Sequence, residues 1–155
     1  MQCTAAVLGR LLISPIFIVS AVHKLMNWEQ TVGHLAVELK ASLASVGMQD
    51  SLGRLLAEPV PAVLLGIAAA VELLGGLMVL FGAKARLGAF ALVLFLIPTT
   101  LVFHDFWTFS GEEQMNEMQH CMKNVTIMGG LLMIVALGPG RCSFDGRRKP
   151  PVPTR

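Results

Sequence analysis

Glu72 sits inside the apolar run "GIAAAVELLGG", His104 and Asp105 close a second run, "LVFHDFWTF", and Lys123 with Asn124 open a third. Arg10, His23 and Lys24 lie on a fourth, near the start of the chain. Ionisable groups in such surroundings are costly unless they pair, protonate or serve a ligand. Four runs that each bring polar groups can converge on one pocket. In such a pocket a lysine or histidine donates a hydrogen bond to a carbonyl, as of a quinone, while a carboxylate handles the proton. His104, Asp105 and Glu72 form the catalytic candidates. Arg10, His23, Lys24, Lys123 and Asn124 form the ligand-binding candidates. Two histidines at similar depth, His23 and His104, would also suit haem or a metal. No spacing is specific for a metal, so no metal site is expected and haem is disfavoured.

Each position also has a plainer explanation. Arg10 can snorkel to headgroups, Glu72 can lock two helices as an ion pair, and His104 and Asp105 can be solvated at an interface. Lys24 and Lys123 are the expected partners of Glu72. At the pocket mouth, Asp105 is expected to orient His104 or to pair with Lys24 or Lys123.

The elements that carry these groups follow from composition. Of 155 residues, 54% are hydrophobic and 14% charged, where a soluble domain has about a quarter charged. Apolar segments over about 5–26, 60–81, 87–106 and 118–137 are each near the ~20 residues that cross a hydrocarbon core. The expected fold is all-α: an integral membrane four-helix bundle, residues 1–145, with a disordered basic tail over 146–155. The first segment reads as a retained helix, because it lacks a small-x-small cleavage site and ends in "HKLMNW". Val32, Leu35, Ala36, Leu39, Leu43 and Val46 recur at helical spacing, which predicts an amphipathic helix in the first loop. Gly75, Gly76, Gly129 and Gly130 are expected to let helices approach closely. Pro98 is expected to free the Leu94 carbonyl beneath Thr99 and Thr100, forming a pocket wall. Trp28 and Trp107 fall at helix ends, where such rings prefer the headgroup level.

Lys84 and Arg86 occupy the second loop, and Arg141, Arg147, Arg148, Lys149 and Arg155 the tail, whereas Glu29, Glu38, Asp50, Glu58, Glu112, Glu113 and Glu117 occupy the first and third. The positive-inside rule then places both termini in the cytoplasm, with the first and third loops extracytoplasmic. Cys3 and Cys142 fall on the cytoplasmic side and Cys121 near the other. Without a C-x-x-C, no pair is expected for a dithiol relay. The net charge of +2 and the lack of a basic stripe exclude nucleic acid as a partner. The lipid bilayer is the first partner expected; a homo-oligomer is left open.

The segments "LGRLLISPIFIVSAVHKLMNWEQT", "AAAVELLGGLMVLFGAKARLGAFAL", "TTLVFHDFW" and "KNVTIMGGLLMIVALGPGRCSFD" resemble, in order, the four helices of DoxX-family membrane proteins, within a wider DoxX-like and SURF4-like superfamily. The shared features are the arginine and lysine bounding the first helix, the second-helix glutamate, the third-helix histidine, and a closing Lys-Asn helix that ends in Ser-x-Asp, here Ser143 and Asp145. The resemblance implies a multi-pass protein of a bacterial inner membrane with a redox association. Relatives serve as the membrane subunit of thiosulfate:quinone oxidoreductase, or as a membrane partner in thiol-based oxidative-stress complexes, so a quinone and a redox partner protein are expected. The wider group includes cargo receptors not known as enzymes, which makes a scaffold or cargo- and lipid-binding protein the competing expectation.

Overall fold

The structure, a computed structural model, describes residues 2–45, 47–48 and 59–147. Its elements are α1 (Gln2–Met26), α2 (Trp28–Ser45), α3 (Val60–Phe81), α4 (Ala85–Phe103), a 3₁₀ turn (Phe106–Thr108), α5 (Gly111–Leu137) and α6 (Phe144–Arg147). Four of them, α1, α3, α4 and α5, are long and apolar enough to cross a membrane. Leu12, Val19, Val63, Leu87 and Leu132 stand exposed on these helices. A soluble monomer rarely carries so broad an apolar surface, whereas hydrocarbon covers it without cost. The chain is therefore an all-α, multi-pass membrane protein.

The spans pack in chain order, α1 on α3, α3 on α4 and α4 on α5, while α1 and α5 touch only sparsely. The core between them is Phe17, Val79, Ala89, Leu92, Val93, Leu96 and Leu131. Helices α3 and α4 meet backbone to backbone, because a Cβ on Gly88 would lie 2.7 Å from Met78 Cβ and 3.0 Å from the Gly75 carbonyl oxygen. Gly76 likewise admits Phe17 and Ile18 of α1. In α5 the expectation fails at Gly129, which faces open space, and holds at Gly130, which meets Ile13.

Pro59 caps α3 and Pro61 lies in its first turn, where a missing N–H costs nothing. At the other end Gly82 takes φ 67°, a left-handed conformation open to glycine. The first-loop helix is present as α2, with Val46 of its expected apolar face outside the described residues. It lies across α3 and α4 at the end away from the termini: the indole of Trp28 reaches Gly66, and Ser42 donates to the Val102 carbonyl at 3.3 Å.

Two boundaries differ from expectation. Helix α4 stops at Phe103, so His104 and Asp105 lie beyond it, the backbone N–H of His104 bonding the Thr100 carbonyl. Helix α5 starts at Gly111, well before 118, with Glu112 and Glu113 in its first turn, where acids complement the helix dipole. Of the expected basic tail, residues 148–155 lie outside the described residues.

Candidate functional site

The α1–α3 pair is antiparallel, with Arg10 meeting Leu80, Ser20 meeting Glu72 and Trp28 meeting Gly66. This register sets Glu72 about 18 Å along α3 from Val60, deep in the membrane. Its residue is 4% exposed. Lys24 Nζ donates to Glu72 Oε2 at 2.8 Å, to Oε1 at 3.0 Å and to Ser20 Oγ at 2.6 Å. Ser20 in turn donates to Glu72 Oε1 at 3.0 Å. An ammonium has three protons, and here three acceptors surround it. The predicted Lys24 partnership holds, and Ser20, which the sequence did not single out, completes it.

Lys123 does not reach Glu72. It is exposed, with Nζ 2.9 Å from His120 Nδ1. Its neighbour Asn124 is buried instead and donates to Thr100 Oγ1 at 3.1 Å, the hydroxyl itself donating to the Leu96 carbonyl at 2.7 Å. Thr99 bonds the Phe95 carbonyl in the same way, so both threonines satisfy carbonyls of their own helix around Pro98.

Asp105 does not orient His104. The partner is Glu117, whose Oε2 lies 2.8 Å from His104 Nδ1. The cause is local. Ending α4 at Phe103 and turning through the 3₁₀ segment uses the Asp105 carbonyl to accept the Thr108 N–H and hydroxyl. The early start of α5 then brings its Glu117–His120–Lys123 face, at i, i+3 and i+6, opposite His104. The imidazoles of His104 and His120 stack with centroids 5.2 Å apart and planes at 13°. Among the described residues, the Asp105 carboxylate joins no ion pair and neither Nε2 of the stacked rings is engaged. Sequence spacing could have exposed this face only if α5 had been started early enough to include Glu117. His23 is exposed, and the structure pairs His104 with His120, not with His23. Among the described residues no group of three metal-ligating side chains comes together.

At the termini side the structure builds a latch. Arg10, 5% exposed, donates to the carbonyls of Ala6 (3.3 Å), Leu80 (3.0 Å) and Cys142 (2.8 Å). It does not snorkel outward. The Asp145 carboxylate accepts the N–H groups of Lys84 at 2.9 Å and Ala85 at 3.0 Å, capping α4, while its own N–H bonds the Gly82 carbonyl. Ser143 Oγ accepts the Gly146 N–H. Cys3 and Cys142, expected on the same side, are joined in a disulfide, so a cysteine pair exists where none was expected for a dithiol relay. Beside the latch, between α1 and α5, lies a cleft of about 230 Å³ lined by residues including Arg10, Ile13, Gly130 and Met133. It is smaller than the ~300–1,000 Å³ of drug-sized ligand sites, so it suits part of an acyl chain or a small head group.

Comparison with known proteins adds the lineage. The DoxX family model matches residues 5–105 and the SURF4 family model residues 61–150. The inner membrane protein YphA of Escherichia coli is 26% identical over 90% of this chain and 87% of its own length. The inner membrane protein YqjF of the same organism is 36% identical over 56% of this chain and 62% of its own. A Surfeit locus protein 4 homolog of Drosophila melanogaster is 34% identical over 46% of this chain but only 27% of its own length. No solved structure matches the chain.

Proposed function

The chain belongs to the DoxX family, and from that premise we propose that it is the membrane subunit of a redox system, presenting a quinone site at the His104–Glu117–His120–Lys123 cluster, with both termini in the cytoplasm. The observation that carries this reading is the stacked His104–His120 pair, whose Nε2 atoms remain open while Glu117 and Lys123 engage the Nδ1 atoms. An imidazole or the Lys123 ammonium donates to a quinone carbonyl. Glu117 shuttles the proton through His104. Reduction of the quinone takes two electrons and two protons. The protons pass through this cluster, and the electrons come from a partner protein that oxidises a reduced sulfur compound or a thiol, the association that the family resemblance implies. The Lys24–Glu72 pair serves beneath as the lock that positions α1 against α3.

A second reading, a non-enzymatic scaffold or cargo-binding protein, is favoured by a different observation. Among the described residues every buried side-chain nitrogen and oxygen has a partner, and the Lys24 protons are fully used, as a purely structural polar core requires.

Solvent extraction of the purified protein and mass spectrometry test between the two. The redox reading expects co-purified quinone, and saturable quenching of tryptophan fluorescence by a short-chain quinone, with Trp107 three residues from His104 as reporter. His104→Ala should abolish the saturable part. No extracted quinone together with linear, non-saturating quenching overturns the redox reading and leaves the scaffold.

A further inference from the structure

The disulfide between Cys3 and Cys142 joins positions 139 residues apart, each three residues from a residue that lines the cleft between the first and last spans. Cys3 is one turn before Ala6 on one wall, and Cys142 follows Pro139 on the other. Elsewhere these two spans touch only sparsely, so the disulfide is the covalent tie between the walls. Two features set it apart from a permanent staple. Cys142 is exposed and Cys3 half-buried, so a soluble thiol can reach the bond. Beside it the latch rests on hydrogen bonds that can break and re-form: Arg10 has three backbone acceptors and Asp145 caps α4 through two N–H groups.

We propose that Cys3–Cys142 is a reversible thiol–disulfide exchange site which a soluble monothiol or protein dithiol opens, releasing the α1 wall of the cleft from the C-terminal latch. In the exchange a thiolate RS⁻ attacks the exposed Cys142 Sγ, the S–S bond breaks, and Cys3 leaves as a thiolate that takes a proton from water. A second RS⁻ attacks the sulfur of the added group, forming RS–SR and freeing the Cys142 thiolate, which is likewise protonated. The balance is one protein disulfide plus two RSH giving two protein thiols plus RSSR, a transfer of two electrons. Oxidised low-mass disulfide drives the reverse. The inference is independent of quinone binding at the far end. It accords with the cytoplasmic placement of the termini proposed above, because disulfides that form in a reducing compartment are transient, catalytic or redox-sensing.

The test uses the full chain in detergent micelles, equilibrated in glutathione buffers of graded ratio, quenched with iodoacetamide and weighed intact. The chain has three cysteines. In oxidising buffer one carbamidomethyl group is expected, on Cys121; in reducing buffer three; and returning the sample to oxidising buffer should restore one. A parallel arm follows trypsin cleavage after the exposed Arg141, which should run at least several-fold faster in the reduced protein. Cys3→Ser should be cut at the fast rate in both buffers. Three groups at every ratio would mean that the thiols never join, and one group at every ratio short of unfolding would mean a sealed staple. Either result overturns the proposal, as does a cleavage rate that ignores the redox state. Because the titration uses the native sequence, a folding defect in the variant cannot mask it.

Discussion

Removing one member of the Lys24–Glu72 pair leaves a charge deep in the membrane without its counter-ion, and for buried pairs that costs about 3–5 kcal/mol. Lys24→Met should therefore lower the thermal stability of the detergent-solubilised protein sharply. The double variant Lys24→Met/Glu72→Leu should recover most of the loss, because replacing both charges with apolar groups removes the desolvation penalty along with the attraction. If the pair is only a lock, the double variant keeps its cellular activity; if the carboxylate also handles protons for a ligand, it folds but is inactive. The far-end cluster yields a sharper contrast. Glu117→Gln should weaken saturable quinone quenching roughly as His104→Ala does, since it removes the proton acceptor at 2.8 Å. Asp105→Asn should leave quenching near the native level, and a loss as large as that of Glu117→Gln would return Asp105 to the site. The Glu72 pairing was legible in the sequence because a charge amid "AAAVELLGG" demands a partner, and Lys24 sits on a neighbouring span. The His104 pairing was not. Asp105 is adjacent in sequence, but α4 stops at Phe103 and the early start of α5 brings Glu117, thirteen positions after His104, into reach instead.

Hydropathy alone located the four spans, since lipid-facing helices are apolar almost all round and need no partner to be recognised. It was less informative about how they meet. Four glycines were candidates for close contact, and the structure uses them unequally, because a glycine matters only on the face that another backbone approaches. This asymmetry is testable. Gly88→Ala would push a methyl group against Met78 Cβ and the Gly75 carbonyl, neither of which is the loose end of a side chain. Such overpacking costs about 1–3 kcal/mol. Gly129→Ala meets nothing within 4 Å and should be neutral, or stabilise by up to about 1 kcal/mol through helix propensity. Thermal unfolding of the two variants side by side checks the α3–α4 interface. Equal stability would mean that these helices are not in backbone contact. The early start of α5 belongs to the same scale. Glu112, Glu113, Gln114, Asn116, Glu117 and Gln119 lower its apolar signal, so periodicity placed its beginning at 118, yet the glutamates and glutamines are good helix formers and the two leading acids favour a helix start.

For the molecule as a whole, an even number of spans brings both ends of the chain to one side, and there the structure gathers Arg10, the α3–α4 turn, the disulfide and the Ser143–Asp145 latch. The sequence placed Cys3 and Cys142 on that same side without showing that they touch. A separation of 139 residues leaves no local pattern to read, and contact depends on how the latch folds back beneath α3 and α4. Which side of the membrane this is rests on charge. Lys84 caps α4 and Arg86 lies in its first turn, both on the termini side, and five more basic residues follow Pro139, while the opposite loops carry most of the acids. Moving that much positive charge across an energised membrane opposes the potential and the insertion machinery alike, so the termini are expected in the cytoplasm. Reporters that are active only inside the cell, fused at Lys84 and after Arg155, should both be active, and a periplasmic reporter at the same points silent. The reverse pattern would put the Cys3–Cys142 pair in an oxidising compartment and the histidine cluster in the cytoplasm. Exchanging Lys84 and Arg86 for glutamate offers a graded version of the same experiment. If the turn's charge helps set orientation, these two substitutions should produce a measurable inverted fraction, and the Asp145 cap on α4, which bonds backbone N–H groups and not the Lys84 side chain, should leave the fold of both populations intact.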